Sequence, residues 1–215
     1  AQALRYIDLE TGAIIPPIQS SATFVRDENY ETRKPYWYKR DGNETTSHAE
    51  AMIADLEEAK DTLLFSSGMS AATAVIDHLQ EKSHVVVPKA MYHGVLHQFK
   101  TYEKKGRLSV SYYKAGDLNE LSDVINHNTS LVWAETPNNP DWAVTDIRKA
   151  ADIAHKHGAK LLTDCTGTPP CATRALNFDA DISMHSATKY LNGHTDIVAG
   201  VVTVSYTHLT LPTKA

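Results

Sequence analysis

Short apolar runs recur along this chain at 62–65, 84–87, 108–113, 130–134, 160–163, 181–184 and 197–202, and stretches of helical period separate them. No other feature restricts the fold as much. Strand, helix and strand at this spacing predict an α/β fold: a three-layer arrangement in which a mostly parallel sheet is covered by helices on both faces. Within the helical stretches Ala72, Val75, Ile76 and Leu79 share one face. Asp146 caps a second helix that carries Ile147, Ala150, Ala151 and Ala154 and stops at Gly158. An earlier helix is predicted to open at Ser47, where Ser47 and Glu50 form a capping box ahead of Met52, Ile53 and Leu56. Residues 1–46 hold Pro16, Pro17, Pro35 and a Tyr36-Trp37-Tyr38 cluster without period, and are expected to form an extended arm. Residues 47–203 then make the main domain. Over 204–215 the alternation stops, so this stretch is read as a non-native tail.

Composition narrows the partners. A net charge of -5 lacks the basic excess that phosphate backbones demand, so no nucleic acid is expected and a small molecule is. The two cysteines, Cys165 and Cys171, are too few for a disulfide framework, which suits a reducing, cytoplasmic setting. No apolar run approaches the roughly 18 residues of a membrane helix. The phosphate-binding glycine fingerprints of dinucleotide and nucleoside-triphosphate sites are also absent. His155 and His157 end a helix, where they suit its dipole, and no metal site is expected.

In doubly covered parallel sheets, ligands bind beyond the carboxyl ends of the strands. Asp164 follows the 160–163 run, and Lys189 lies in the Ser186-Ala-Thr-Lys loop after the 181–184 run. A lysine and an acid at such neighbouring ends suit a pyridoxal Schiff base whose ring nitrogen the acid keeps protonated. The Phe65-Ser-Ser-Gly68-Met69 stretch joins a strand to a helix start, where free N–H groups near Gly68 and Met69 would favour a phosphate. Ser186 and Thr188 offer hydroxyl donors from the facing loop, and Tyr92 offers a flat ring for stacking.

Four motifs, SSGMSAA (66–72), ETPNNP (135–140), LLTDCT (161–166) and above all HSATKYLNGHTD (185–196), resemble the Cys/Met-metabolism family of pyridoxal-phosphate enzymes. The resemblance implies the fold-type I large domain of that family, with pyridoxal 5'-phosphate carried by Lys189. It also implies that Asp164 pairs with the pyridine nitrogen, that Asn139 contacts the phenolic oxygen and that Tyr92 stacks on the ring and takes part in catalysis. Gly68, Met69, Ser186 and Thr188 would hold the phosphate. Tyr38 and Arg40 match the family's Y-x-R motif, whose side chains reach the phosphate of a neighbouring subunit, so a homo-oligomer, a dimer of dimers, is implied. The activity implied is γ-replacement on an activated homoserine with cysteine, as in cystathionine γ-synthases of methionine biosynthesis. A C–S lyase on cystathionine or methionine is the alternative.

Three departures stand out. Glu44 replaces a common proline, Cys165 replaces an asparagine, and Tyr92-His93-Gly94-Val95 replaces Y-G-G-T or Y-G-C-T. The family's smaller carboxy-terminal domain, with the arginine that grips the substrate carboxylate, has no counterpart among these residues. A cofactor-binding fragment without turnover is therefore a further expectation.

Overall fold

The computed structural model describes residues 6–205. Its centre is a seven-stranded sheet in the order β1-β7-β6-β5-β4-β2-β3. The strands are β1 (Asp61–Phe65), β2 (His84–Pro88), β3 (Ser109–Tyr113), β4 (Thr129–Glu135), β5 (Lys160–Asp164), β6 (Ile182–His185) and β7 (Gly200–Val204). From β3 to β6 every pairing is parallel, as the spacing predicts. β7 departs from this rule: it lies antiparallel between β6 and β1.

Five helices cover the sheet: α1 (Glu44–Glu57), α2 (Gly68–His78), α3 (His93–Lys104), α4 (Leu118–Val124) and α5 (Ile147–Lys156). Two separate cores show that both faces are covered. On one, Ala72, Val75 and Ile76 of α2 and Val95 and Phe99 of α3 pack on Val85, Trp133, Leu162 and Met184. On the other, Leu121 of α4 and Ala150, Ala151 and Ala154 of α5 pack on Val86, Val132 and Leu161. The alternation along each strand sends one set of side chains to each core, because successive residues point to opposite faces.

Local chemistry places the helix ends. Asp146 caps α5, accepting from the Lys149 amide as expected. α1 differs: it starts at Glu44, three residues before Ser47, because Asn43 is the cap and its side chain accepts from the Thr46 amide at 3.1 Å. The unusual Glu44 thus sits in a first turn, where a carboxylate suits the helix dipole, and it pairs with Lys34. Residues 6–42 form no regular strand or helix. Isolated bridges join Thr23 to Tyr38 and Arg26 to Thr32.

The 197–202 run is displaced as well. β7 begins at Gly200, and Ile197 and Val198 remain outside it, 54% and 67% exposed. The cause is Thr188, whose backbone amide and hydroxyl both bond to the Ala199 carbonyl while the hydroxyl accepts from the Ala199 amide, holding the preceding segment against the lysine loop. β7 ends at Val204, which pairs with Asp61 and Ile182, so the first residue of the stretch read as a tail belongs to the sheet. Residues 206–215 lie outside the described residues. Among the described residues no helix is long and apolar enough to cross a membrane.

Candidate functional site

Beyond the carboxyl ends of β4, β5 and β6 lies a cavity of about 350 Å³. Its lining includes Gly68, Met69, Tyr92, Asn139, Asp164, Ser186, Thr188 and Lys189. Eight of the ten residues nominated from the sequence therefore converge on one space. Tyr38 and Arg40 do not. They stack on each other, the guanidinium carbon 4.9 Å from the ring centroid, and Arg40 lines a separate groove with Tyr36, Ser47 and Phe65.

The wall toward α2 is built by close approach. A Cβ on Gly68 would stand 2.7 Å from Ser186 Cβ, so only glycine lets the helix start meet the lysine loop. Ser67 caps this helix through the Ser70 amide, and its carbonyl takes the Ala71 amide. The N–H groups of Gly68 and Met69 precede the first intrahelical bond and face the cavity end, where the helix dipole favours an anion. On the facing loop the Ser186 amide is anchored to Thr166 Oγ1 at 2.8 Å. The Lys189 amide donates to the Ser186 carbonyl at 3.0 Å, closing the turn that presents the lysine. Thr188 spends its hydroxyl on Ala199, which makes it a brace of this turn.

Asp164, the last residue of β5, is 4% exposed. Burial pushes its carboxyl above the usual carboxylate range, and the hydrogen bonds from Thr166 pull the other way. A buried carboxylate without a cation is costly, and a protonated ring nitrogen would supply that cation. Donor set, cradle and buried acid thus fit pyridoxal phosphate.

Two features of the site were not nominated from the sequence. Glu135, at the end of β4, stands in register with Asp164 across the β4–β5 ladder. It is 5% exposed, lines the same cavity and accepts the Tyr92 amide N–H at 2.8 Å. Burial, reinforced by the charge of Asp164, pushes its carboxyl up to about 8. The signal was present in ETPNNP, whose first residue ends an apolar run as Asp164 does. Behind the sheet, Glu57 and His185 form a fully buried pair through Oε1 and Nε2. His185 immediately precedes the lysine loop. Nothing in the sequence joins these residues, which are 128 positions apart. Cys165 is buried, and that burial pushes its thiol up, which suits packing rather than nucleophilic chemistry. His155 binds Asp181 at 2.8 Å.

The sequence matches the model of the Cys/Met metabolism PLP-dependent enzyme family over residues 2–214. The chain belongs to that family. Cystathionine gamma-lyase of Saccharomyces cerevisiae is 38% identical over 202 residues, 92% of this chain and 51% of the relative. Cystathionine beta-lyases occur among the relatives too. Among solved structures, metB from Corynebacterium glutamicum superposes with a TM-score of 0.90 at 34% identity, covering 95% of this chain and 54% of that one. Cystathionine gamma synthase from Xanthomonas oryzae pv. oryzae, solved in complex with cystathionine, gives a TM-score of 0.88 at 35% identity over 93% of this chain and 51% of that one. The chain spans about half the length of the curated relatives it matches. Pyridoxal 5'-phosphate is the cofactor of the family.

Proposed function

We propose that the whole protein catalyses pyridoxal-phosphate-dependent γ-replacement, in which the thiol of cysteine takes the place of the activating γ-group of an activated homoserine, giving cystathionine and releasing that group. The observation that carries the reading is the convergence of Lys189, buried Asp164 and the α2 start on one cavity. When bound, the cofactor supplies an electron sink that makes a Cα proton of the substrate removable.

The protein's own residues do the rest. Lys189 would hold the cofactor, and its free Nζ would take the Cα proton of the substrate and return protons farther along the substrate chain. Asp164 holds the proton on the ring nitrogen. Tyr92 would cover the ring, Asn139 would contact the phenolic oxygen, and Gly68, Met69, Ser186 and Thr188 would hold the phosphate. Of these, Thr188 acts through its brace to Ala199.

Tyr38 and Arg40 serve a neighbouring subunit's phosphate in this reading. Neither residue lines the Lys189 cavity, and Arg40 lines a separate groove, which supports that role. Arginine's planar fork suits a phosphate, and the arm has few regular contacts of its own. In subunit-exchange experiments Arg40→Ala mixed with Lys189→Ala should recover part of the activity. Failure to recover, with exchange verified, removes the shared site.

A C–S lyase acting on cystathionine is the second reading, favoured by the 38% identity to the yeast lyase. Steady-state assays separate the two. Cystathionine formed from an activated homoserine and cysteine supports replacement, and release of a thiol, a 2-oxoacid and ammonia from cystathionine and water alone supports cleavage. Neither product from the whole protein would refute both.

A further inference from the structure

Tyr92 occupies an exposed position at the start of α3, 39% of its surface open, and no side chain caps that helix. A ring meant to lie at a fixed angle over a flat ligand needs more than its own backbone to hold it there. Around it the structure supplies a short list of restraints. The His93 ring lies 4.8 Å from it, centroid to centroid. Gly94 leaves no room beside it: a Cβ there would stand 2.9 Å from both Tyr92 Cε1 and Met69 Sδ. The third restraint is the bond from the Tyr92 amide to Glu135 Oε2 at 2.8 Å, which ties the helix start to the rigid end of β4.

The Glu135 carboxyl accepts from the Tyr92 amide at 2.8 Å and from the Asn139 backbone, and these bonds hold it in surroundings that disfavour a charge. It is buried beside a second buried carboxyl, Asp164, with Asp141 also contributing negative charge, and Tyr113 is destabilised as an anion by the same neighbour. A buried acid in such company costs folding energy, and an acid placed at that cost beside a cavity points to the site.

We propose, on the reading of the site as a pyridoxal-phosphate cavity, that Glu135 is the positioning residue for Tyr92. Its carboxyl group holds the Tyr92 backbone and thereby sets the angle at which the phenol ring covers the cofactor. Glu135 touches neither the cofactor nor the substrate in this role. It acts through Tyr92, and the requirement is for an acceptor of the right length at the end of β4, which glutamine also supplies.

The test has one arm without cofactor and one with it. In the cofactor-free protein, hydrogen exchange at the Tyr92 amide should quicken at least roughly tenfold in E135L, and also in E135A, which opens space for water, while E135Q keeps the protection. Unchanged exchange in the folded loss variants overturns the inference whatever the cofactor does.

In the second arm pyridoxal phosphate is added and the visible circular dichroism of the bound cofactor is read. The induced signal should fall in E135L and in Tyr92→Ala alike, and the E135L/Y92A double variant should lose no more than Y92A alone. E135Q should restore the signal. Additive losses would show that Glu135 works independently of Tyr92 and would overturn the proposal. If the unmodified protein forms no borohydride-reducible adduct at Lys189, the cofactor reading fails, and the exchange arm still decides the Glu135–Tyr92 link separately.

Discussion

The two ends of the sheet both bury polar side chains, and they treat them in opposite ways. At the amino end, His84 opens β2 and is 6% exposed. Both its ring nitrogens are engaged, Nδ1 with Thr129 Oγ1 at 2.8 Å and Nε2 with Ser111 Oγ at 2.9 Å. At the carboxyl end, Glu135 and Asp164 sit side by side as two buried acids, both pushed up by burial. One end is a closed network whose groups satisfy each other. At the other, neither acid forms an ion pair among the described residues. A pattern of that kind, polar groups buried at a cost beside a cavity, marks where binding chemistry is located.

The sharpest way to break this comparison is at the carboxyl end. Lys189→Ala should abolish the borohydride-reducible adduct and all turnover of the whole protein; peptide mapping that finds the adduct on another lysine would refute the assignment. Asp164→Asn should still bind pyridoxal phosphate but lose activity by roughly a hundredfold or more, since a preorganised charge is removed from the reacting centre. Steady-state rates comparable to the unmodified protein would contradict it.

Behind the same end, the Glu57–His185 pair is fully buried, and Glu57 Oε2 has no hydrogen-bond partner. Glu57→Ala leaves His185 without its partner and should cost about 3 kcal/mol in urea unfolding. At the opposite end, His84→Ala leaves Ser111 Oγ without its partner and Thr129 Oγ1 with the Asn126 amide alone, and should cost about 1–3 kcal/mol with no change in cofactor affinity. A parallel loss of cofactor binding would show that the two ends are coupled.

The smallest effects, and the most discriminating, are the pH dependences, because the two ends have opposite signs. Burial lowers the His84 imidazole from 6.5, so the unfolded chain binds a proton that the folded one refuses. Stability should fall as the pH drops below 6.5, and His84→Gln should flatten that limb. Glu135 is raised from 4.5 to about 8, so the folded protein holds the extra proton between those values. Its contribution should decline as the pH rises through that window, and Glu135→Gln should remove the decline. Urea midpoints at several pH values measure both; a midpoint profile unchanged by either substitution would mean that neither group is as buried as the structure places it.

Much of this contrast was legible in the residues and some of it was not. Asp164 and Lys189 were found because each ends or follows an apolar run, and a strand end in a parallel sheet is a place with a known meaning. Glu135 satisfies the same rule, yet its importance depends on the backbone amide it meets rather than on its own type, and the sequence does not show that amide. The helix at 44–57 begins earlier than the Ser47–Glu50 pattern suggests because Asn43 is an equally good cap, and propensity alone does not choose between two caps one helical turn apart.

The sequence by itself determined the α/β rhythm, the parallel run from β3 to β6, the cap at Asp146 and the chemistry available at Asp164 and Lys189. These are consequences of local period and of side-chain type, which act over a few residues. Tertiary structure alone decided that β7 enters antiparallel between β6 and β1, that Glu57 meets His185 across 128 positions, and that Arg40 stands apart from the cavity. Each of these depends on which distant surfaces gain most by burial together, and that balance is set by the packing of the whole domain and leaves no periodic trace along the chain.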